Sequence, residues 1–170
     1  MICALLSALK TNSVPVRLYF SLFTNSADSY YSWGDDLIQQ LQQDGREGTI
    51  EWNQSTFFSD NSTLPGDEQN YISTKIGAQE LDLIISTDSL YNYLLDMDCI
   101  LSLNDVIDFS KLASWPDALI TMNDGTITAL KLSAEQFPEA ANDDYYLYAF
   151  SYSSHLDDIK QMIELIIKSS

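Results

Sequence analysis

Residues 80–107, ELDLIISTDSLYNYLLDMDCILSLNDVI, decide the fold class. The apolar run at 81–85 predicts a buried strand, which ends on small polar side chains at 86–89. A helix is predicted to follow at once, with Asp88 or Ser89 as its cap and an apolar stripe formed by Leu90, Tyr93, Leu94 and Met97. A strand that turns directly into a helix is typical of α/β proteins.

The rest of the chain repeats this alternation. Apolar runs predict strands at 16–23, 48–58, 81–86, 118–122, 126–132 and 145–152, and helical spacing predicts helices at 26–45, 69–80, 88–97 and from 156 onward. Asp124-Gly125 lies between two of the strands and indicates a hairpin turn. The predicted fold is α/β, with a mainly parallel sheet, helices on both faces and one antiparallel strand.

The length of 170 residues suits one domain with a sizeable core, and we expect residues 14–170 to form a single α/β domain. The first thirteen residues, MICALLSALKTNS, leave two interpretations open. They are either a first structural segment or the remnant of a signal or membrane anchor, since the apolar run is too short to span a bilayer.

The charge balance excludes one class of partner. The sequence holds 25 acidic and 8 basic side chains, which gives a formal net charge of −17. Such a surface repels phosphate backbones, so nucleic acid is not expected as a partner, and it repels anionic membrane surfaces as well. The same charge keeps a domain soluble.

Groups for catalysis or metal binding are few. There is one histidine, His155, and the cysteines Cys3 and Cys99 form no CxxC motif, so neither a His- or Cys-based zinc site nor any other metal site is predicted. Nucleophile-elbow, P-loop and dinucleotide motifs do not occur, so we expect no cofactor and no enzymatic activity. A hydrolase that uses carboxylates as its catalytic groups is kept as a minor alternative function. A disulfide between Cys3 and Cys99 is left open.

The candidate binding site follows from strand ends. In open α/β sheets, ligands lie outside the carboxyl ends of the strands, where helix N-termini offer N–H groups. Two such ends are polar here, and an aromatic side chain follows the first. The predicted ligand-binding residues are Thr24, Asn25, Ser26, Tyr30, Ser86, Thr87, Asp88 and Ser89. Hydroxyls and amides beside aromatic rings suit a sugar or a peptide; the alternative is that these residues are helix caps and core aromatics.

Several stretches together resemble a known family. A pattern of mostly apolar positions in this sequence resembles the first lobe of extracellular solute-binding proteins of ABC transporters, which have the type 2 periplasmic-binding fold. The positions that match are Asp82, Ile84, Ile85, Leu94, Ile100, Leu101, Leu103 and Ile107. Asp98 or Cys99 stands where that pattern has a glycine. Asp124-Gly125 resembles the turn of the family's strand pair, and Ser153 or Ser154 with residues 159–166 resembles its return helix.

One departure from the family affects what the resemblance implies. A full binding protein inserts a second lobe between Leu132 and Tyr145, but only residues 133–144 stand there. The chain is therefore similar to single-lobe relatives that carry an N-terminal membrane anchor in Gram-positive bacteria. The resemblance implies a non-enzymatic, extracellular, surface-anchored domain that is related to solute transport and binds a small solute.

The alternative function is a protein–protein interaction module of a cell-surface assembly. In that case the partner is a surface protein, and Tyr145, Tyr146, Tyr148 and Tyr152 contribute to the contact surface; the favoured interpretation of these tyrosines is instead a strand packed on both faces.

Overall fold

The computed structural model describes residues 15–24, 31–56, 64–112 and 118–168. Six strands form one sheet: β1 (Val16–Thr24), β2 (Thr49–Thr56), β3 (Leu83–Thr87), β4 (Leu119–Thr121), β5 (Ile127–Lys131) and β6 (Tyr145–Ala149). The α-helices within these ranges are α1 (Tyr31–Gln42), α2 (Gly66–Ala78), α3 (Asp88–Asp96) and α4 (Leu156–Lys168). Short 3-10 turns lie at Leu103–Asp105, Phe109–Leu112 and Pro138–Ala141. The predicted α/β class and the predicted order of elements are confirmed.

The strand directions correct one part of the prediction. The sheet order is β2-β1-β3-β6-β5-β4; β1 pairs in parallel with β2 and β3, whereas β6, β5 and β4 pair antiparallel with their neighbours. Two strands, β4 and β6, therefore run against the others, where one was predicted, and the sheet is mixed rather than mainly parallel, because only the two pairings at the β2-β1-β3 end are parallel. The reason is the short connection at 132–144, because a parallel crossover usually needs a helix.

Helices cover both faces of the sheet, as predicted. On one face α1 and α4 pack over Phe20 and Leu22 of β1, and on the other face α2 and α3 pack over Phe23 and Ile84. Successive strand residues point to opposite faces, which lets one strand serve two cores. Of the α3 stripe, Leu90 and Leu94 are buried as expected, but Met97 is 44% exposed.

The predicted caps of α3 are wrong in position. Thr87 is the N-cap residue and makes no side-chain cap hydrogen bond, while Asp88 and Ser89 are already helical. The strand continues into the helix without a loop, so the cap position falls on the last strand residue. The Thr87 hydroxyl instead contacts the Ser89 hydroxyl at 3.3 Å, and Asp88 places a negative charge at the positive end of the helix.

Asp82 ties three segments together at the amino end of β3. It is 3% exposed. Its Oδ2 accepts the Tyr19 N–H at 2.8 Å and its Oδ1 accepts the Ser153 hydroxyl at 2.5 Å. Its backbone N–H donates to Tyr19 O, and its carbonyl accepts the Phe150 N–H. The side chain therefore fixes β1, β3 and the segment after β6 relative to one another.

The two arginines of the sequence are held in one ion-pair cluster under α1 and α4. Arg17 Nε lies 3.1 Å and Arg46 Nη1 3.0 Å from Asp158 Oδ1. Both guanidinium groups also contact Asp44: Arg17 Nη1 lies 3.4 Å from its Oδ1, and Arg46 Nε lies 3.1 Å from its Oδ2. Arg17 is buried, so this pairing compensates for the loss of its hydration.

Gly34 lets α1 approach the sheet closely. A Cβ at this position would overlap the indole ring of Trp52 on β2. The ring is held between Phe20, at a centroid distance of 4.7 Å, and Trp33, at 6.1 Å, so it has little room to retreat. Gly77, in α2, has open space at the same position.

We expect Asp82→Ala to lower the free energy of unfolding by about 2–3 kcal/mol, because the Tyr19 N–H and the Ser153 hydroxyl lose their acceptor. Urea unfolding measures the change. Asp36→Ala, which removes an exposed carboxylate from α1, should change it by less than about 0.5 kcal/mol. Equal effects of the two substitutions would show that Asp82 does not hold the segments together.

Two glycine substitutions should have opposite signs. Gly34→Ala is expected to destabilise by about 1–3 kcal/mol through overpacking against Trp52. Gly77→Ala should stabilise by up to about 1 kcal/mol, because alanine loses less conformational entropy in a helix. Thermal unfolding followed by circular dichroism distinguishes them, and a stable Gly34→Ala variant would contradict the close approach.

Candidate functional site at the carboxyl edge of the sheet

The structure brings part of the predicted site together. Because β1 and β3 pair in parallel with Phe23 opposite Ser86, Thr24 and the segment Ser86–Ser89 lie at the same carboxyl edge. The remaining predicted ligand-binding residues, Asn25, Ser26 and Tyr30, lie outside the described residues.

Two hydroxyl pairs connect this edge to β6. Thr24 Oγ1 lies 2.8 Å from the Tyr145 hydroxyl, and Ser86 Oγ lies 2.8 Å from the Tyr148 hydroxyl. Thr24 is 1% exposed and Ser86 is 0% exposed, so each hydroxyl reaches a tyrosine rather than solvent. In this arrangement Thr24 and Ser86 act on a ligand only through the elements that they position.

The two tyrosines lie in opposite cores. Tyr145 packs in the α1/α4 core and Tyr148 in the α2/α3 core, and both are fully buried. Burial raises the pKa of Tyr148 well above the ordinary range, so its hydroxyl stays protonated. The idea that Tyr145 and Tyr148 form a contact surface is therefore wrong, because alternate residues of a central strand point into the two cores. Tyr146 and Tyr152 are half-buried.

An accessible patch remains at the same edge. We name it the edge patch: the half-buried Thr87, Lys131 and Tyr146 with the exposed Asp88 and Asp144. The Tyr146 ring stacks on Tyr91 of α3 at 5.2 Å and 21°, and Lys131 Nζ lies 2.7 Å from Asp144 Oδ2. Lys131 and Ser86 flank Tyr146 in the ladder.

The charged groups of the edge patch affect the pKa of the Tyr146 hydroxyl. Burial raises the pKa of Tyr146; the carboxylates of Asp144 and Asp88 raise it further, and Lys131 opposes them. The patch thus offers an aromatic ring, two carboxylates, an ammonium group and a hydroxyl within one small area. Such a set can hydrogen-bond a polar solute and pack against its apolar side.

The predicted ligand-binding set lacked Lys131, Asp144 and Tyr146, of which Tyr146 was expected only in the alternative protein-contact surface. Their signal was present in the hairpin pattern, because a strand that ends at Lys131 and returns antiparallel from Tyr145 must place both residues at the same edge. The predicted site included only strand ends that are followed by a helix, whereas β5 is followed by the connection to β6.

The remaining chemical groups lie elsewhere. His155 precedes α4 at the amino edge, where its backbone N–H donates to Ser153 Oγ at 3.2 Å. Cys99 carries a half-buried thiol that donates to Leu94 O at 3.3 Å, and burial raises the pKa of this thiol. Cys3 lies outside the described residues.

In the ranges that the structure describes, no three His, Cys, Asp or Glu side chains are arranged to hold a metal ion. No helix of these ranges is long and apolar enough to cross a membrane.

A groove of about 560 Å³ opens at the amino edge, between the end of α3 and the β4–β5 turn. We name it the acidic groove. Its apolar lining includes Leu95, Ile100 and Met122, and its carboxylates are Asp96, Asp98 and Asp124. The sequence pattern does not predict this groove, whose two sides come from distant parts of the chain.

Comparisons with models of protein families, with curated proteins and with solved structures found no match for this chain. The resemblance to a solute-binding lobe thus stands on the sequence motifs.

A double-mutant cycle tests the buried hydroxyl pair. Ser86→Ala and Tyr148→Phe should each destabilise the fold, with a coupling energy of about 0.5–1.5 kcal/mol, because either substitution removes the same hydrogen bond. Urea unfolding provides the values. The matched control combines Ser86→Ala with Tyr145→Phe, whose hydroxyl bonds Thr24 in the other core, and should couple by less than about 0.5 kcal/mol. Equal coupling in both cycles would contradict the pairing.

Proposed function

We propose that this chain is a non-enzymatic binding domain, extracellular and anchored to the cell surface, that binds a small polar solute such as a sugar or a peptide at the carboxyl edge of its sheet. The observation that carries the proposal is the edge patch, where Tyr146 lies among the charges of Asp88, Lys131 and Asp144. In this arrangement Tyr146 packs against the apolar side of the solute, and the charged groups bond its hydroxyls or amides.

The surroundings of the patch favour binding. The Thr24–Tyr145 hydroxyl pair ties β6 to β1 and the Ser86–Tyr148 pair ties β6 to β3, while the stacked Tyr91 supports the Tyr146 ring. Groups that are held in place before a ligand arrives lose less entropy on binding. The side chain of Thr87 makes no cap hydrogen bond to α3, so it does not occupy the N–H groups of the first helical turn.

The absence of enzymatic activity is part of the proposal. The sequence has one histidine, and it lies at the amino edge, so no imidazole can act as a base at the edge patch. The extracellular, anchored location rests on the resemblance to single-lobe relatives.

A protein partner at the same edge is the second candidate. The connection between β5 and β6 holds only a 3-10 turn at Pro138–Ala141, so it supplies no lobe that could close over a solute. An edge that is open on one side suits the flatter surface of another protein in a cell-surface assembly.

A thermal-shift screen against neutral sugars, amino acids and short peptides tests the proposal. A solute at 100 times its dissociation constant should stabilise the domain by about 2.7 kcal/mol. Asp88→Asn and Tyr146→Ala should remove the shift, because each deletes a group that faces the solute. Calorimetric titration of the same variants with any compound that raises the melting temperature then measures its affinity.

Asp67→Asn is the matched control, because Asp67 is an exposed acid in the first turn of α2, as Asp88 is in α3. It should leave solute binding unchanged. If no compound shifts the melting temperature, solute binding is refuted and the protein-partner alternative gains. If Asp67→Asn weakens binding as much as Asp88→Asn, the solute does not bind at the edge patch.

A further inference from the structure

The acidic groove combines an apolar lining with carboxylates that have no basic neighbour among the described residues lining it. Leu95 and Ile100 contribute apolar surface from the α3 side, and Met122 contributes it from the hairpin side. Met122 is 41% exposed, and Met97, next to the groove, is exposed to a similar degree. Exposed methionines are flexible and polarizable, and they are frequent at surfaces that bind peptides.

The end of α3 places negative charge where a helix disfavours it. The C-terminal end of a helix carries a partial negative charge, which basic side chains usually compensate. The last turn of α3 has no basic residue, and Asp96 ends the helix. Asp98 follows in a left-handed conformation with φ of 54°, which favours glycine. The negative end of α3 thus carries two carboxylates and, in its last turn, no basic residue.

The hairpin side carries a fixed third carboxylate. Asp124 Oδ1 accepts the Thr126 N–H at 2.9 Å, which holds the side chain over the turn. This hydrogen bond lowers the pKa of Asp124, so the group is ionised at neutral pH. None of the residues that line the groove is a cation.

We propose that the acidic groove docks a basic segment of a partner protein, in which a lysine or arginine side chain lays its methylene stem along Leu95, Ile100 and Met122 and its cationic head near Asp96, Asp98 and Asp124. Long basic side chains bury their stems on apolar surface and keep the charge in water, which matches an apolar groove with an acidic rim. The site is at the opposite edge of the sheet from the edge patch and is independent of solute binding.

A second copy of this chain does not suit the groove. Both arginines are held in the cluster with Asp44 and Asp158, and Lys75, Lys131 and Lys168 also form ion pairs within the chain. A net charge of −17 on each copy opposes self-association, whereas it attracts a basic partner from a distance.

Amide chemical-shift mapping on the whole chain tests the docking site. The probes are a capped peptide of alternating leucine and lysine, and the same peptide with glutamate in place of lysine. The lysine peptide should shift the amide resonances of residues 95–102 and 122–128, and its binding should weaken as salt is added. The glutamate peptide should shift none of them.

The triple variant Asp96→Asn, Asp98→Asn, Asp124→Asn should bind the lysine peptide about tenfold more weakly, the combined effect of three surface ion pairs. Asparagine tolerates the left-handed backbone at 98 and the turn at 124, so the fold is preserved. The control variant Asp35→Asn, Asp36→Asn, Glu135→Gln loses as many exposed charges elsewhere and should bind nearly as the unaltered chain does.

Three results would overturn the proposal. Equal weakening in both variants would mean that only net charge matters. Shifts that lie away from the groove, or no shifts at all, would show that no basic segment docks there. Calcium chloride that reproduces the shifts and displaces the peptide would assign the groove to a metal ion. None of these results bears on solute binding at the edge patch.

Discussion

The antiparallel pairing of β3 with β6 is the constraint on which the rest of the structure depends. β3 lies between β1 and β6, and its register places Ser86 opposite Tyr146 and Leu83 opposite Ala149. At the amino end, Asp82 fastens the pair to β1 and to the segment after β6. A shift of one residue would exchange the two faces of β6 and place each buried tyrosine in the wrong core.

This register also separates the two candidate surfaces. The carboxyl end of β3 runs directly into α3, so the start of that helix lies beside Tyr146 and its end lies at the opposite edge of the sheet. The edge patch therefore contains the positive end of α3 and the acidic groove contains the negative end. One helix thus favours negative groups at one edge and positive groups at the other.

The distribution of the few cations strengthens that contrast. Arg17 and Arg46 neutralise Asp44 and Asp158 between β1 and α4, and Lys131 pairs with Asp144 at the edge patch. Asp96, Asp98 and Asp124 have no basic neighbour among the residues that line the groove. In a chain with this excess of acids, the position of each cation decides which surfaces keep their negative charge.

The sequence by itself determined the α/β class, the order of the elements and the edge at which β3 meets α3, because these depend on local periodicity and on turn residues such as Asp124-Gly125. Only the tertiary structure decided the direction of β6 and whether the Thr24 and Ser86 hydroxyls are buried or exposed. Thr24 and Ser86 end apolar runs just as exposed polar caps do, and only the position of β6 shows that tyrosines cover them. Lys131, Asp144 and Tyr146 join Asp88 only through strand pairing, since distant segments meet according to register, which the pattern of a single segment does not contain.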